Sequence, residues 1–225
     1  MSPTVFLFDI DGTILDARGA GRRAMQGAFE AVCPGCGDAM AKVRFAGMTD
    51  PGIARAALEH AAADVDAATI EAVLSEYLRR IEAELRTAPP TVHDGARASI
   101  DAARAHPHAA VGLGTGNHVD GARHKLGAVG LWDVFGFGGF GSDAELRSDM
   151  LAIGRDRGLE RLGVNAARVV VIGDTPRDVE AAAAIGAVCL AVTTGPHPAE
   201  VLREAGADLV VDRLDRPDAL AFLAV

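Results

Sequence analysis

The sequence predicts an α/β fold: a mostly parallel sheet with helices on both faces, interrupted after its first strand by an all-helical segment. Three observations carry this. An apolar run, TVFLFDI, opens the chain and closes on acid. Residues 16–91 then show only helical periodicity. From residue 92 onward, short apolar runs alternate with amphipathic stretches, the pattern of strands joined by crossover helices.

Element by element, TVFLFDI is short, apolar and bounded by polar residues, a buried strand. GRRAMQGAFEAV places Met25, Ala28, Phe29 and Val32 at spacings of three and four, one face of a helix. CPGCGD breaks that helix. RFAGMTDPG is a loop in which Asp50-Pro51 suits the start of the next helix, IARAALEHAA. DAATIEAVLSEYLRRIEAELRT is a long amphipathic helix with Ile70, Val73, Leu74, Tyr77, Leu78, Ile81 and Leu85 inward, stopped by TAPP. GARASIDAARA is a helix, and HAAVGLGTGN is a strand entering a glycine-rich turn. HVDGARHKLGAVG is a helix, FGFGGFGSD a short strand, and LRSDMLAIGRDRG a helix. ARVVVIGDT is a strand, PRDVEAAAAIG a helix, AVCLAVTTG a strand and PAEVLREAG a helix. ADLVVD and PDALAFL supply a last strand and helix. The chain therefore divides into an α/β core, residues 1–15 and 92–225, and an inserted helical segment, residues 16–91.

Composition narrows the function. The 225 residues are 49% apolar but only 4% aromatic, so the core is built from Ala, Val, Leu and Ile. A net charge of −9 without any basic run argues against nucleic acid or an anionic membrane surface as partner. No apolar stretch approaches the ~18 residues that span a bilayer, and the N-terminus lacks the basic start of a signal peptide. A cytoplasmic location is expected, as a monomer or a homodimer. Cys33 and Cys36 form one isolated CPGC, read as a helix-ending turn, and Cys189 reads as a small buried hydrophobe.

In a parallel sheet the ligand crevice lies beyond the carboxyl ends of the strands. Asp9, Thr115 and Asp174 each end a predicted strand, so the fold gathers them at one edge, with residues 16–91 above it as a lid. Asp9 and Asp11 form a D-x-D pair followed by Gly-Thr. Two close carboxylates repel unless a cation neutralises them or one carries a proton. GDTPRD adds Asp174 and Asp178. An oxygen-rich set of this kind suits a hard cation, usually Mg2+, which is commonly completed by phosphate oxygens and water. GTGN offers the Thr115 hydroxyl and free backbone N–H groups of Gly116 and Asn117 just before a helix, an anion site. Arg147 opens a helix between these elements, and a guanidinium suits a phosphate. Lys125 falls mid-helix and is expected to face solvent, as is His118; His93, His106, His108 and His197 fall in loops and suggest nothing specific.

DIDGT, a strand ending in Thr115, a basic residue and GDTPRD, in that order, resemble the four motifs of the haloacid dehalogenase (HAD) superfamily. The likeness spans the chain. The helical insertion after the first motif resembles the C1 cap of phosphoglycolate phosphatase-like members on a Rossmann-like core. The resemblance implies a Mg2+-dependent phosphatase acting on a small phosphorylated metabolite. Asp9 would be the nucleophile forming an aspartyl-phosphate, and Asp11 the general acid and then base. Asp9, Asp174 and the Asp11 carbonyl would ligate Mg2+, with Asp178 indirect or in the second layer. Thr115 and Gly116 would hold the phosphoryl oxygens, and Arg147 would neutralise transition-state charge, where relatives more often carry lysine. Dehalogenases lack the second aspartate, and phosphonatases replace it and use a cap lysine; here Asp11 is present and Lys42 is the cap's only lysine. A phosphosugar mutase of the β-phosphoglucomutase type uses the same aspartates and stays open as an alternative, as does a non-catalytic phosphate-binding regulator. Arg18, Arg22 and Thr49 are the cap residues expected to touch the leaving group. Gly19, Pro89 and Pro90 mark candidate hinges.

Overall fold

A computed structural model describes residues 2–224. Six parallel strands form one sheet in the order β5-β4-β1-β6-β7-β8. β1 (Thr4–Phe8) lies in the middle, between β4 (Ala109–Thr115) and β6 (Arg168–Gly173). The chain builds outward from β4 to β5 (Gly138–Phe140), then crosses to β6, β7 (Val188–Val192) and β8 (Leu209–Val211). The direction of winding therefore reverses at β1, which opens a crevice at its carboxyl end.

The alternation of β1 explains its burial on both faces. Phe6 and Phe8 pack with Leu113, Ile172 and Ile100 on one side; Val5 and Leu7 pack with Val171, Met150 and Leu151 on the other. The helices α5 (Ala96–Ala105), α6 (Val119–Gly127), α7 (Arg147–Leu162), α8 (Pro176–Ala184), α9 (Ala199–Glu204) and α10 (Pro217–Leu223) surround this sheet. The α/β class read from the sequence holds.

Between β1 and β4 the chain forms α1 (Ala20–Val32), α2 (Gly37–Ala41), α3 (Asp50–His60) and α4 (Ala67–Thr87). These helices own a separate apolar cluster that includes Met25, Phe29, Ile53, Leu58, Val73, Tyr77 and Ile81. Cys33 follows the last residue of α1 and Cys36 precedes α2; both are free thiols, as is buried Cys189. One expectation needs correction: the inserted segment is not wholly helical. β2 (Leu15–Asp16) and β3 (Thr91–Val92) pair antiparallel where the chain leaves and re-enters the core. Two chain crossings lying side by side satisfy each other's backbone groups, which no single-stretch periodicity announces. Among the described residues, no helix is long and apolar enough to cross a membrane.

Candidate active site

The carboxyl edge of β1 is the floor of a cavity of about 450 Å3, roofed by the inserted helices. Asp9, Asp11, Gly116, Asn117, Arg147 and Asp174 line its floor; Arg22, Met25, Phe45, Asp50, Ile53 and Tyr77 line its roof.

Asp9 follows β1 directly. Its N–H bonds the Ile172 carbonyl of β6 at 2.8 Å, which continues the ladder by one residue and fixes the side chain at the strand end. Asp9 Oδ1 accepts the Ile10 N–H at 2.8 Å, and Oδ2 pairs with Arg147 Nη2 at 2.9 Å. Burial pushes the Asp9 carboxyl up to about 6, against the pull of Arg147. Asp174, after β6, is also raised well above the carboxylate range by burial, with Asp178 and Asp9 adding repulsion. It accepts a hydrogen bond from the Thr13 hydroxyl at 3.0 Å. Gly12 sits at φ 81 against this carboxylate; any Cβ there would collide with it, so both the turn and the close approach require glycine.

Asp178 lies beneath the cavity, not on its wall. It closes a capping box at the start of α8: its Oδ2 accepts the Thr175 N–H at 3.0 Å and hydroxyl at 2.7 Å. Its Oδ1 is held by Arg147 through Nε at 2.9 Å and through Nη2. Arg147 is thus a buried bridge from Asp178 to Asp9. Burial works against its charge, but Asp178 and Asp9 outweigh that and hold it protonated.

One carboxylate oxygen from each of Asp9, Asp174 and Asp178 lies within 4.8 Å of the others. Three buried acids face one buried guanidinium, so the cluster is short of positive charge. All the donors are hard oxygens. The set fits a divalent cation of the Mg2+ type, and Asp9 and Asp174 of it line the cavity.

Thr115 closes β4 fully buried, its hydroxyl accepting from Asn117 Nδ2 at 2.8 Å. Gly116 meets the roof: its carbonyl accepts the Asp50 N–H at 2.7 Å, and a Cβ there would strike the Met48 carbonyl. The loop from Met48 to Asp50 can dock only on a glycine.

The roof residues divide. Arg22 lines the cavity with its guanidinium 3.9 Å from the Phe45 ring centroid. Arg18 and Thr49 are not on the wall. Arg18 is exposed at φ 50, its carbonyl accepting from Arg23. Thr49 caps α3, accepting the Gly52 N–H and donating to the Glu145 carbonyl at 2.9 Å. Its hydroxyl is consumed by holding roof to floor.

The sequence reading missed several groups. Lys125 does not face solvent: it is 4% exposed, with Nζ 2.6 Å from both Asp11 Oδ2 and Asn117 Oδ1. The signal was available, since Lys125 shares a helix face with Ala122 and Leu126. His118 is half-buried and caps α6, accepting the Asp120 N–H. His93 lines the cavity, and among the described residues nothing pairs with its buried Nε2 or with the Tyr77 hydroxyl. Asp50 was read only as a helix start. It is buried and accepts the His118 N–H at 2.7 Å.

Burial pushes Asp50 up to about 6 from an ordinary 3.8, although Lys125 and the His118 N–H favour its charge. The folded state then holds a proton that the unfolded state releases between those values. Its stabilising effect is lost as pH rises through that window. Asp50→Asn removes this dependence. Between pH 4.5 and 7.5, wild type should lose about 2 kcal/mol relative to the variant. Urea unfolding of both proteins at the two pH values checks this; parallel curves would remove the assignment.

Comparison with known proteins agrees with this architecture. The chain is similar to CbbY from Rhodobacter sphaeroides, solved in complex with phosphate, at TM-score 0.75 and 19% identity over 100% of both chains. It is similar to a hydrolase from Pseudomonas syringae at TM-score 0.72 and 19% identity, over 99% of this chain and 100% of that one. A curated relative, "Probable phosphatase IndB" of Dickeya dadantii, is 32% identical over 97 residues, which span 40% of this chain and 39% of the relative. A model of the haloacid dehalogenase-like hydrolases matches residues 3–186, and the chain belongs to that family.

Proposed function

We propose that the protein is a Mg2+-dependent phosphatase that hydrolyses a small phosphate monoester through a phosphoryl-aspartate at Asp9. The observation that carries this reading is the buried Asp9, fixed at the strand end with Arg147 on one oxygen and Asp174 across the cluster.

In this reading Asp9 attacks phosphorus from the floor of the cavity. Arg147 meets negative charge that grows on the phosphoryl oxygens, while its tie to Asp178 keeps the guanidinium in place. The Gly116 N–H, before α6, holds one of those oxygens, while Thr115 accepts both the backbone N–H and the side-chain amide of Asn117 and orients that residue from below. Asp11 protonates the leaving alcohol and then takes a proton from the water that attacks the phosphoryl-aspartate. Asp9, Asp174 and the Asp11 carbonyl would hold Mg2+, with Asp178 supporting through Thr175 and Arg147; the ion supplies charge neutralisation that lets an anionic carboxylate approach an anionic phosphate. Residues 16–91 act as a cap, with Arg22 and Tyr77 facing the leaving group and the β2–β3 pair at the hinge. A cavity of about 450 Å3 closed by helices favours a small metabolite over a phosphorylated protein.

Phosphate release from a panel of phosphoglycolate, sugar phosphates, nucleotides and an aryl phosphate tests this. Release is expected with Mg2+ and abolished by EDTA, then restored on re-addition. Metal-independent release would exclude the mechanism. Isomerised phosphosugar without free phosphate would mean that the phosphoryl group returns to sugar, as in a mutase.

A further inference from the structure

Asp11 is held on one side only. Lys125 Nζ donates to its Oδ2 at 2.6 Å, and Asn117 Nδ2 donates to the same Oδ2 at 2.8 Å. Lys125 also donates to Asn117 Oδ1 at 2.6 Å, and Asn117 Nδ2 reaches Thr115 Oγ1 at 2.8 Å. The four side chains make a closed polar chain from the end of β4 to the D-x-D loop. Among the described residues, no donor is recorded on Asp11 Oδ1. The Asp11 side chain is 42% exposed and lines the cavity.

Lys125 is expensive to keep there. It sits on α6 among the buried Gly121, Ala122 and Leu126, and its ammonium lies against Gly21 of α1. An unpaired ammonium so buried would be strongly disfavoured. Of its two hydrogen-bond partners Asp11 carries a countercharge, and buried Asp50 adds a second acid near it.

We infer that Lys125 is a positioning residue for proton transfer: with Asn117 it fixes the Oδ2 edge of Asp11, so that Oδ1 faces the leaving-group oxygen. The inference rests on the phosphatase reading above. In the first step Asp9 forms a bond to phosphorus as the bond from the leaving oxygen to phosphorus breaks, and the proton on Asp11 Oδ1 passes to that oxygen. The carboxylate left behind is met by the Lys125 ammonium. In the second step water attacks phosphorus, breaks the bond to Asp9 and returns its proton to Oδ1. Lys125, on the cavity wall, keeps its own protons throughout and acts on the reaction through Asp11.

A leaving group that departs without a proton does not need this arrangement, and that separates positioning from a purely structural role. Lys125→Met should slow first-turnover release of an alkyl alcohol from a sugar phosphate by about 10- to 100-fold. First-turnover release of p-nitrophenolate from its phosphate ester should change by less than about threefold. The first turnover is read because the later hydrolysis is common to both esters. An equal loss on both esters, or no loss on either, would overturn the inference. If Lys125→Met does not fold, Lys125→Gln, which keeps a donor without the charge, carries the same comparison.

A crystal structure of the variant decides independently of turnover. Asp11 rotated away from Asn117 supports the inference, and Asp11 unmoved overturns it. Should wild type release neither alcohol, the phosphatase reading itself fails, while the orientation of Asp11 in the variant still answers whether Lys125 holds it.

Discussion

Asp9→Asn is expected to reduce phosphate release by at least about 10^4-fold, because an amide cannot serve as the nucleophile. The change is nearly isosteric. Asn can turn its one acceptor oxygen to Arg147 and give up the Ile10 N–H, and Arg147 retains Asp178. It also removes one of three carboxylates gathered within 4.8 Å. The metal-free variant should therefore melt no lower than metal-free wild type at pH 8, where the carboxyl that burial pushes up to about 6 must be charged. Activity lost with stability kept is the signature of a chemical role. Phosphate release parallel to wild type would place the nucleophile elsewhere.

Arg147→Met carries the second large effect, and here stability moves as well. The guanidinium is the buried cation between Asp9 and Asp178. Removing it leaves both acids uncompensated, and breaking a buried pair in this way costs about 3–5 kcal/mol. Phosphate release should fall by about 10^2- to 10^3-fold, the scale for losing one preorganised transition-state contact. Arg147→Lys keeps the charge but cannot span Asp9 and Asp178 with one planar fork, so it should lie between the two in both measurements. Urea unfolding with parallel assays resolves this. An Arg147→Met protein as stable as wild type would mean that the acids are compensated by some other group.

Much of this site is legible in the sequence because the fold writes it at strand ends. Asp9, Thr115 and Asp174 each terminate an apolar run, and the parallel architecture fixes that such ends share one edge. The strands themselves were plain from short apolar runs, and α4 from the regular spacing of Ile70, Val73, Tyr77 and Ile81. What stayed hidden depends on how the helices of 16–91 dock. The partners that bury Lys125, Asp11 and Asn117, lie on segments far apart in sequence. Asp50 looked like a helix start, and it is one; its role against Gly116 and His118 exists only once the loop is seated. Thr49 drew attention as a polar loop residue, but capping α3 and bonding Glu145 occupy its hydroxyl. The β2–β3 pair is two residues per strand, too short for any pattern to show.

The central claim is a covalent phosphoryl group on Asp9, and trapping it is the most direct test. Wild type and Asp11→Asn, which lacks the base for the second step, would be mixed with Mg2+ and a 32P-labelled aryl phosphate, acid-quenched and digested. The account predicts acid-stable, hydroxylamine-labile label on the peptide containing Asp9, accumulating in Asp11→Asn and absent from Asp9→Asn. Turnover without such label, or label that persists in Asp9→Asn, would contradict it.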